Sequence, residues 1–523
     1  MQHNTKWDKE VDTVVAGYGY AGGIAAIVAH DLGAKVLVLE KMVHPGGNSI
    51  MSGGFFRIAN DADKAFRYLQ RMCLNTVPDD VIYEFAKEMV NLPELMKQLA
   101  KNNGVVVKER HGTGGTYKFP DGPSGEAIGL LAVNSDEDLC FPWLKVHGTG
   151  WLVFKLVQEN VNERGIEVLL STPVKELITS EEGEVLGVVA EAQGQRIRVK
   201  TNKAVILATG GFENNEQLRL QYFQAQPFHP ICSLGNTGDG LLMGQKIGAG
   251  LWHMWLIHGS YGFKAPGFPV GFRHRIHGRH GSDHLPRPGE EFSLKSGDEG
   301  PKMMPWIVVD KFGRRFMDEY PPAPQDTPWR DLSVYDPHIK DFPRIPSYMI
   351  LDENGRITGP LFSPISDDPS YRYEWSQDNS VEIEKGWIKK ADSLEELARQ
   401  IHINPSNLVE TARRWNEICE TGEDTDFHRF SKSLFPIFKP PFYAVEVWPI
   451  VTNTQGALAH DEQQRVLNTF NQVIPRLYVA GEMGGIFGHL YLNSGNNSEA
   501  FITGLIAGRS VAKEKPWDGV RPS

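Results

Sequence analysis

Cysteine is scarce in this chain. Its 523 residues contain four, Cys73, Cys140, Cys232 and Cys419, widely spaced and without a CxxC pair. That excludes a sequence-recognisable zinc ribbon, a c-type haem attachment or a disulfide framework. Long apolar runs are lacking too. No stretch reaches ~18 uninterrupted apolar residues and residues 1–10 hold no apolar h-region, so no membrane span is expected and the expected location is cytoplasmic. Positive charge is also in short supply. Lys and Arg number 54 against 65 Asp and Glu, a formal net charge of −11. A nucleic-acid partner, which wants a basic face, is not expected. Glycine is abundant at 53 residues, and a chain of this length suggests two or three domains.

The first glycines sit in an informative place. Residues 11–16 form a short apolar run that ends at Gly17-x-Gly19-x-x-Gly22. Small residues over 23–32 predict a helix able to pack closely on a sheet. Gly33 breaks it, and residues 34–39 read as a second strand ending at Glu40. The first two glycines let the chain turn and approach a pyrophosphate, and the third lets helix and strand pack. Glu40 is placed to accept hydrogen bonds from ribose hydroxyls. A dinucleotide is the expected ligand. A second glycine- and hydroxyl-rich loop, Gly46-Gly47-Asn48-Ser49-x-x-Ser52-Gly53-Gly54, selects FAD over NAD. A nicotinamide enzyme has no evident use for it, whereas an extended flavin cofactor needs a cover at its ring end.

Further along, 62–103 reads as helical and amphipathic in several stretches, and 104–146 as loop-rich. Residues 151–163 read as helix, and 166–170, 174–178, 185–190 and 195–200 as an antiparallel insertion. The run 204–208 is fully apolar and enters a glycine turn, the pattern of a strand buried on both faces. Beyond 251 the texture changes to Trp, His, Pro and Gly. We read 1–264 and 441–523 as two parts of one Rossmann-like α/β domain, with an inserted α+β cap domain over 265–440. Near the C-terminus a strand-like 476–480 leads into the Gly/Asn-rich 481–497 and a helix from Ser498. Backbone N–H groups and a helix N-terminus converge there, which suits an anion such as the edge of a reduced flavin.

Taken together these motifs resemble the fumarate reductase/succinate dehydrogenase flavoprotein superfamily. The resemblance is carried by the Gly17–Glu40 unit, the 46–54 loop, Ala208-Thr209-Gly210-Gly211-Phe212, Thr237-Gly238-Asp239-Gly240, Gly313-Arg-Arg-Phe-Met-Asp-Glu319 and Tyr478-Val-Ala-Gly-Glu482. It implies a split FAD domain and hydride transfer between a substrate carbon and flavin N5. The cofactor contacts it implies are Gly17, Gly19, Tyr20, Ala21, Gly22, Glu40 and Lys41; Gly47, Asn48, Ser49, Ser52, Gly53 and Gly54; Ala208, Thr209, Gly210 and Asp239; and Gly481, Glu482, Asn496, Asn497 and Ser498.

Dicarboxylate reductases of this superfamily carry an arginine in the final motif and another four residues after the motif glutamate. Here Tyr491 and Ala323 stand at those places. Two substrate carboxylates would be buried without partners, so a fumarate-like substrate is disfavoured. The final motif is instead similar to the 3-ketosteroid dehydrogenase branch. There a tyrosine and a glycine N–H four residues on polarise the ketone, which maps onto Tyr491 and Gly495. The expected reaction introduces a C=C bond α,β to a ketone of a cyclic or steroid-like substrate, with an external electron acceptor such as oxygen, a quinone or a carrier protein. The alternatives are an ene-reductase running the reverse reaction and a flavoprotein with no catalytic role.

That branch places its base, a tyrosine, where this chain has Ala323. Tyr320 is the substitute expected here, with Asp326, Tyr335, Tyr261 and Tyr117 behind it. His274, His277, His280 and His284 lie in a glycine-containing basic segment. It reads as a loop at the substrate entrance or at a subunit contact in a homo-oligomer, not as a metal site. His44 lies too close to Gly46 to match the histidine that carries flavin covalently in succinate dehydrogenases, so non-covalent FAD is expected. The run Trp252-His-Met-Trp255, with Phe487 and Leu492, is read equally as pocket wall and as core.

Overall fold

The structure, a computed structural model, describes residues 6–517 apart from 102, 113, 121, 275–303, 322 and 324. The chain opens with strand β1 (Lys9–Ala16), helix α1 (Tyr20–Asp31) and strand β2 (Val36–Leu39). β1 and β2 run parallel with Ala16 opposite Leu39. Every residue of β2 is buried, as expected of a strand covered on both faces. The order across the main sheet is Arg465–Leu467, Val473–Val479, Gln195–Leu207, β1, β2 and Glu167–Leu169. Elements from both ends of the chain therefore complete one layer.

The C-terminal helix, Gly495–Lys513, packs along α1. An added Cβ at Gly504 would lie 2.6 Å from the carbonyl oxygen of Ala21, and one at Gly508 2.8 Å from that of Ala25. The small residues of both helices permit that approach.

Three expectations are corrected here. Residues 166–170 are not part of an antiparallel insertion: Glu167–Leu169 pairs parallel with β2 as an edge of the main sheet. The runs 195–200 and 204–207 are one strand, Gln195–Leu207. Its first half pairs antiparallel with Val185–Ala192 and its second half parallel with β1. The stretch read as loop-rich contains two strands, Val106–Arg110 and Ile128–Asn134, which join Phe55–Ala59 in a small sheet.

A second large sheet has the order Ile307–Val309, Ser347–Asp352, Phe442–Thr454, Ile257–Phe263, Phe272–His274, Phe362–Ser363. His229–Pro230 and Ile388–Ala391 also pair with Phe442–Thr454. This sheet reaches beyond 265–440 on both sides, and its longest strand starts just after that span.

Inside this unit Arg315 donates to Glu319 at 2.7 Å and to Asp424 at 2.8 Å, while Arg429 lies 3.3 Å from Glu319. Burial raises the Glu319 carboxyl, but Arg315 and Arg429 outweigh it and hold the group below the usual carboxylate range. Burial works the other way on Arg429, whose guanidinium is shifted down. Its remaining donors are taken up by the carbonyls of Trp306 and Ser433 at 2.8 Å each. The motif 313–319 is thus a structural clamp.

Candidate active site

Four parallel strands end in a row, with Ala16 opposite Leu39 and Leu207, and Leu207 opposite Val479. The residues just past these ends line one long cleft: Gly17, Tyr18 and Gly19; Glu40 and Lys41; Ala208, Thr209 and Gly210; Ala480, Gly481 and Glu482. Open α/β sheets bind ligands in this position. Gly17 has φ +104°, and an added Cβ would sit 2.2 Å from the carbonyl oxygen of Ala208. Only glycine permits that turn.

Helix α1 opens on the cleft with no side-chain cap and no acidic residue in its first turn, and the same holds for Gly495–Lys513. Two helix N-termini thus bring partial positive charge to one cleft. Such a donor set suits an extended, anionic ligand such as a dinucleotide.

Glu40 is buried and accepts from the backbone N–H groups of Tyr18 and Met42, both at 2.8 Å. Burial raises its carboxyl, and these two bonds oppose the shift. Lys41 is paired with Asp239 at 2.8 Å and bonded to Thr237 at 2.6 Å, so these expected contacts hold each other at the cleft wall. Gly47, Asn48, Ser49, Ser52 and Gly53 line the same wall, as do Ala21, Asn496 and Asn497. Asn497 donates to the Phe55 carbonyl at 2.8 Å, and Ser49 accepts from the Tyr20 N–H at 3.1 Å.

The Tyr491 ring is 2% exposed and borders the cleft. It stacks on His258 with ring centroids 4.3 Å apart and 13° between planes, and meets Phe487 edge-on at 5.8 Å. Burial pushes the phenol well up, while a hydrogen bond from the Asn496 backbone N–H opposes this. A phenol oxygen that accepts from a helix N-terminus keeps its own proton to donate. His258 is held from the other side, Nδ1 lying 2.7 Å from Asn453 Oδ1 across paired strands.

Several expected site residues do not line the cleft. The Tyr20 hydroxyl points inward to the Gly150 carbonyl at 2.6 Å. Gly22 serves packing, since an added Cβ would lie 2.0 Å from the Gly17 carbonyl oxygen. Gly54 backs onto Thr149. Ser498 ties its helix to Phe55–Ala59, accepting from the Arg57 N–H at 2.7 Å and donating to the Arg57 carbonyl at 2.8 Å. The Gly495 N–H is directed to the Leu492 carbonyl at 2.6 Å, within its own loop. Tyr320 is 4% exposed and stacks on Phe430 at 5.9 Å; it is packed in the second sheet's unit. Phe487 and Leu492 are buried core, and the Trp252 indole donates to the Gly484 carbonyl behind the loop at 2.5 Å.

His44 stacks on Trp143 at 4.2 Å. His274 lies on Tyr261 at 4.2 Å, while His277, His280 and His284 fall outside the described residues. No group of three or more metal-binding side chains occurs among the described residues, and no helix there is long and apolar enough to cross a membrane.

Sequence reasoning passed over others. His258, Asn453, Gln325 and Arg273 all line the cleft, yet they come from four segments and lie in no motif. Glu213, fully buried beside the Gly210 turn, had one signal, an acidic residue directly after an apolar strand and its glycines. Tyr117 and Asp326, ranked behind Tyr320, are in direct side-chain contact. Asp326 also accepts from Arg330 at 2.9 Å, and its neighbour Gln325 lines the cleft.

Comparison with known proteins agrees with this geometry. The chain is 26% identical over 599 residues to the 3-oxosteroid 1-dehydrogenase of Mycolicibacterium smegmatis, covering 96% of this chain and 97% of that protein. It is 26% identical over 522 residues to the vinyl phenol reductase of Lactiplantibacillus plantarum, covering 96% of each. The structure of 3-ketosteroid delta1-dehydrogenase from Sterolibacterium denitrificans, in complex with 1,4-androstadiene-3,17-dione, superposes with a TM-score of 0.77 at 22% identity. That match covers 96% of this chain and 99% of the other. The mixed α/β, FAD-binding architecture expected from the sequence is the one present. With the FAD binding domain model matching residues 12–498, the protein belongs to that family.

Proposed function

We propose that the protein is a dehydrogenase that introduces a C=C bond α,β to the ketone of a cyclic, steroid-like substrate, using non-covalently held FAD. The observation that carries this reading is Tyr491: a buried phenol that borders the cleft, at the motif position where dicarboxylate reductases carry an arginine. Its O–H donates to the ketone oxygen and stabilises enolate character as the α proton leaves. His258, stacked on its ring, fixes the direction of that donor. Bound FAD supplies the acceptor for the hydride leaving the β-carbon.

We assign the α proton to the Tyr117–Asp326 pair in place of Tyr320; neither member lines the cleft, and the pair is preferred because it adjoins the cleft-lining Gln325 and forms a phenol–carboxylate relay. Burial and the adjacent Asp326 charge raise the Tyr117 phenol well above its usual range. Tyr117 therefore stays protonated and passes a proton to Asp326 through their contact, with Arg330 steadying the carboxylate. Electrons leave to an external acceptor, such as oxygen, a quinone or a carrier protein.

Anaerobic mixing with substrates tests the reading. Saturated cyclic ketones should bleach the flavin and succinate should not; no bleaching by any ketone would overturn the proposal. The match to a reductase over 96% of its length supports a second reading, reduction of an activated C=C. Rapid reoxidation of the reduced protein by enones, without bleaching by saturated ketones, would favour it.

A further inference from the structure

Val473–Val479 and Gln195–Leu207 are parallel neighbours, and each is followed by a glutamate at the cleft end of the sheet. Glu482 lines the cleft, and Glu213 is wholly buried behind it. The two meet across Gly211. An added Cβ there would lie 2.6 Å from Glu213 Oε2, and both the Gly211 N–H and the Glu213 charge act on the Glu482 carboxyl. Asn48 donates to Glu213 Oε1 at 3.2 Å and lines the cleft together with Glu482. The second oxygen of each carboxyl, Oε2, has no hydrogen-bond partner among the described residues.

Among the described residues no cation is bonded to the side chain of either carboxyl. Glu213 Oε1 otherwise accepts only neutral donors, the Thr454 N–H at 3.2 Å and the Asn236 amide at 3.4 Å. Arg219, near Glu213, points its guanidinium at the Glu213 backbone carbonyl and not at its carboxyl. Glu499 adds a third buried carboxyl from the C-terminal helix, bonded through Oε1 to the Ile486 N–H at 2.6 Å. The Cys232 thiol faces the pair and is held neutral by burial. His253 and His460, behind the neighbouring glycines, are also kept neutral by burial. Two adjacent buried carboxylates without a cation do not both ionise. Burial accordingly pushes the Glu213 carboxyl up from its usual range.

We propose that the Glu213–Asn48–Glu482 unit is a proton store coupled to the cofactor: it carries one proton when FAD is oxidised and takes up a second when FAD is reduced. The balance is two electrons and one proton to FAD, leaving one negative charge on the ring, and one further proton from solvent to the carboxyl pair. The inference rests on FAD binding alone, and holds for either direction of the substrate reaction.

The test is direct. Purified holoprotein in weak buffer with a pH-indicator dye is reduced anaerobically by a viologen of known proton balance, and proton uptake is measured between pH 6.5 and 8.5. Two protons per FAD are expected, and one per FAD throughout would overturn the proposal. Equilibrium titration gives a second readout. The reduced-to-oxidised ratio at fixed potential should change about a hundredfold per pH unit in the wild type and about tenfold in Glu213→Gln. Equal slopes in the two proteins would refute the role of Glu213. Should that variant fail to retain FAD, the wild-type proton count decides alone. A colourless wild-type protein would remove FAD binding itself, an outcome distinct from an uptake of one proton.

Discussion

Replacing Tyr491 with Phe removes one oxygen and leaves the rest of the site in place. The ring keeps its face on His258 at 4.3 Å and its edge on Phe487 at 5.8 Å. No apolar contact is lost and no cavity larger than a hydroxyl is formed. The Asn496 N–H loses its acceptor, but Asn496 borders the cleft and water can replace the bond. The cost to folding is then that of one ordinary hydrogen bond, about 1 kcal/mol. The cost to catalysis is much larger, because a donor that polarises a developing oxyanion contributes about 3–4 kcal/mol, or roughly 10²–10³-fold in rate. The expected outcome is full FAD occupancy, a melting temperature within a few degrees of wild type, and flavin bleaching slowed about a hundredfold or more. Anaerobic stopped-flow absorbance with a saturated cyclic ketone measures the rate. An unchanged bleaching rate at full occupancy would remove Tyr491 from the mechanism and with it the ketone assignment.

Other substitutions separate the remaining roles. Tyr117→Phe and Asp326→Asn should each slow bleaching by about 10²-fold, the usual worth of a positioned proton acceptor, whereas Tyr320→Phe should leave the rate within twofold; stopped-flow comparison of the three assigns the base. Gly17→Ala forces a Cβ to 2.2 Å from a backbone oxygen at φ +104°, so the protein should purify without yellow colour, as FAD absorbance per chain will report. Glu319→Gln leaves Arg315 and Arg429 buried without their shared carboxylate and should destabilise the fold by about 3–5 kcal/mol, read by thermal melting. Because the folded-state Glu319 carboxyl is depressed, its stabilisation is present above the ordinary value of 4.5 and fades as pH falls below it; wild type should lose melting temperature in that window and Glu319→Gln should lose less.

The sequence revealed most where one residue type has one geometric reason to be present. Gly17 and Gly22 were readable because their added Cβ atoms would strike backbone oxygens. The apolar run ending at Leu207 was readable because a two-sided burial pattern admits little polar residue. Val106–Arg110 was not, since alternate residues face solvent at the edge of a three-stranded sheet and its composition reads as loop. Tyr491 was legible through its motif, but the Gly495 N–H was not, because the direction of one amide depends on the 2.6 Å turn to Leu492. The Tyr117–Asp326 contact was hidden for a related reason: counting from Glu319 gives chain distance, whereas these two side chains meet across 209 residues of sequence.

The strand Phe442–Thr454 has a practical consequence for protein engineering. It pairs with Ser347–Asp352, Ile257–Phe263, Ile388–Ala391 and His229–Pro230, and its far end brings Thr452 and Asn453 to the cleft. A chimera that exchanges caps between relatives by cutting at 264 and 440 would separate this strand from Ser347–Asp352 and Ile388–Ala391 while leaving it with Ile257–Phe263 and His229–Pro230, and any mismatch at the new pairing would expose strand edges to self-association. Cuts just before His229 and after Thr454 would transfer the whole sheet with the residues it delivers, so substrate choice should travel with the exchanged piece while the flavin stays with the host.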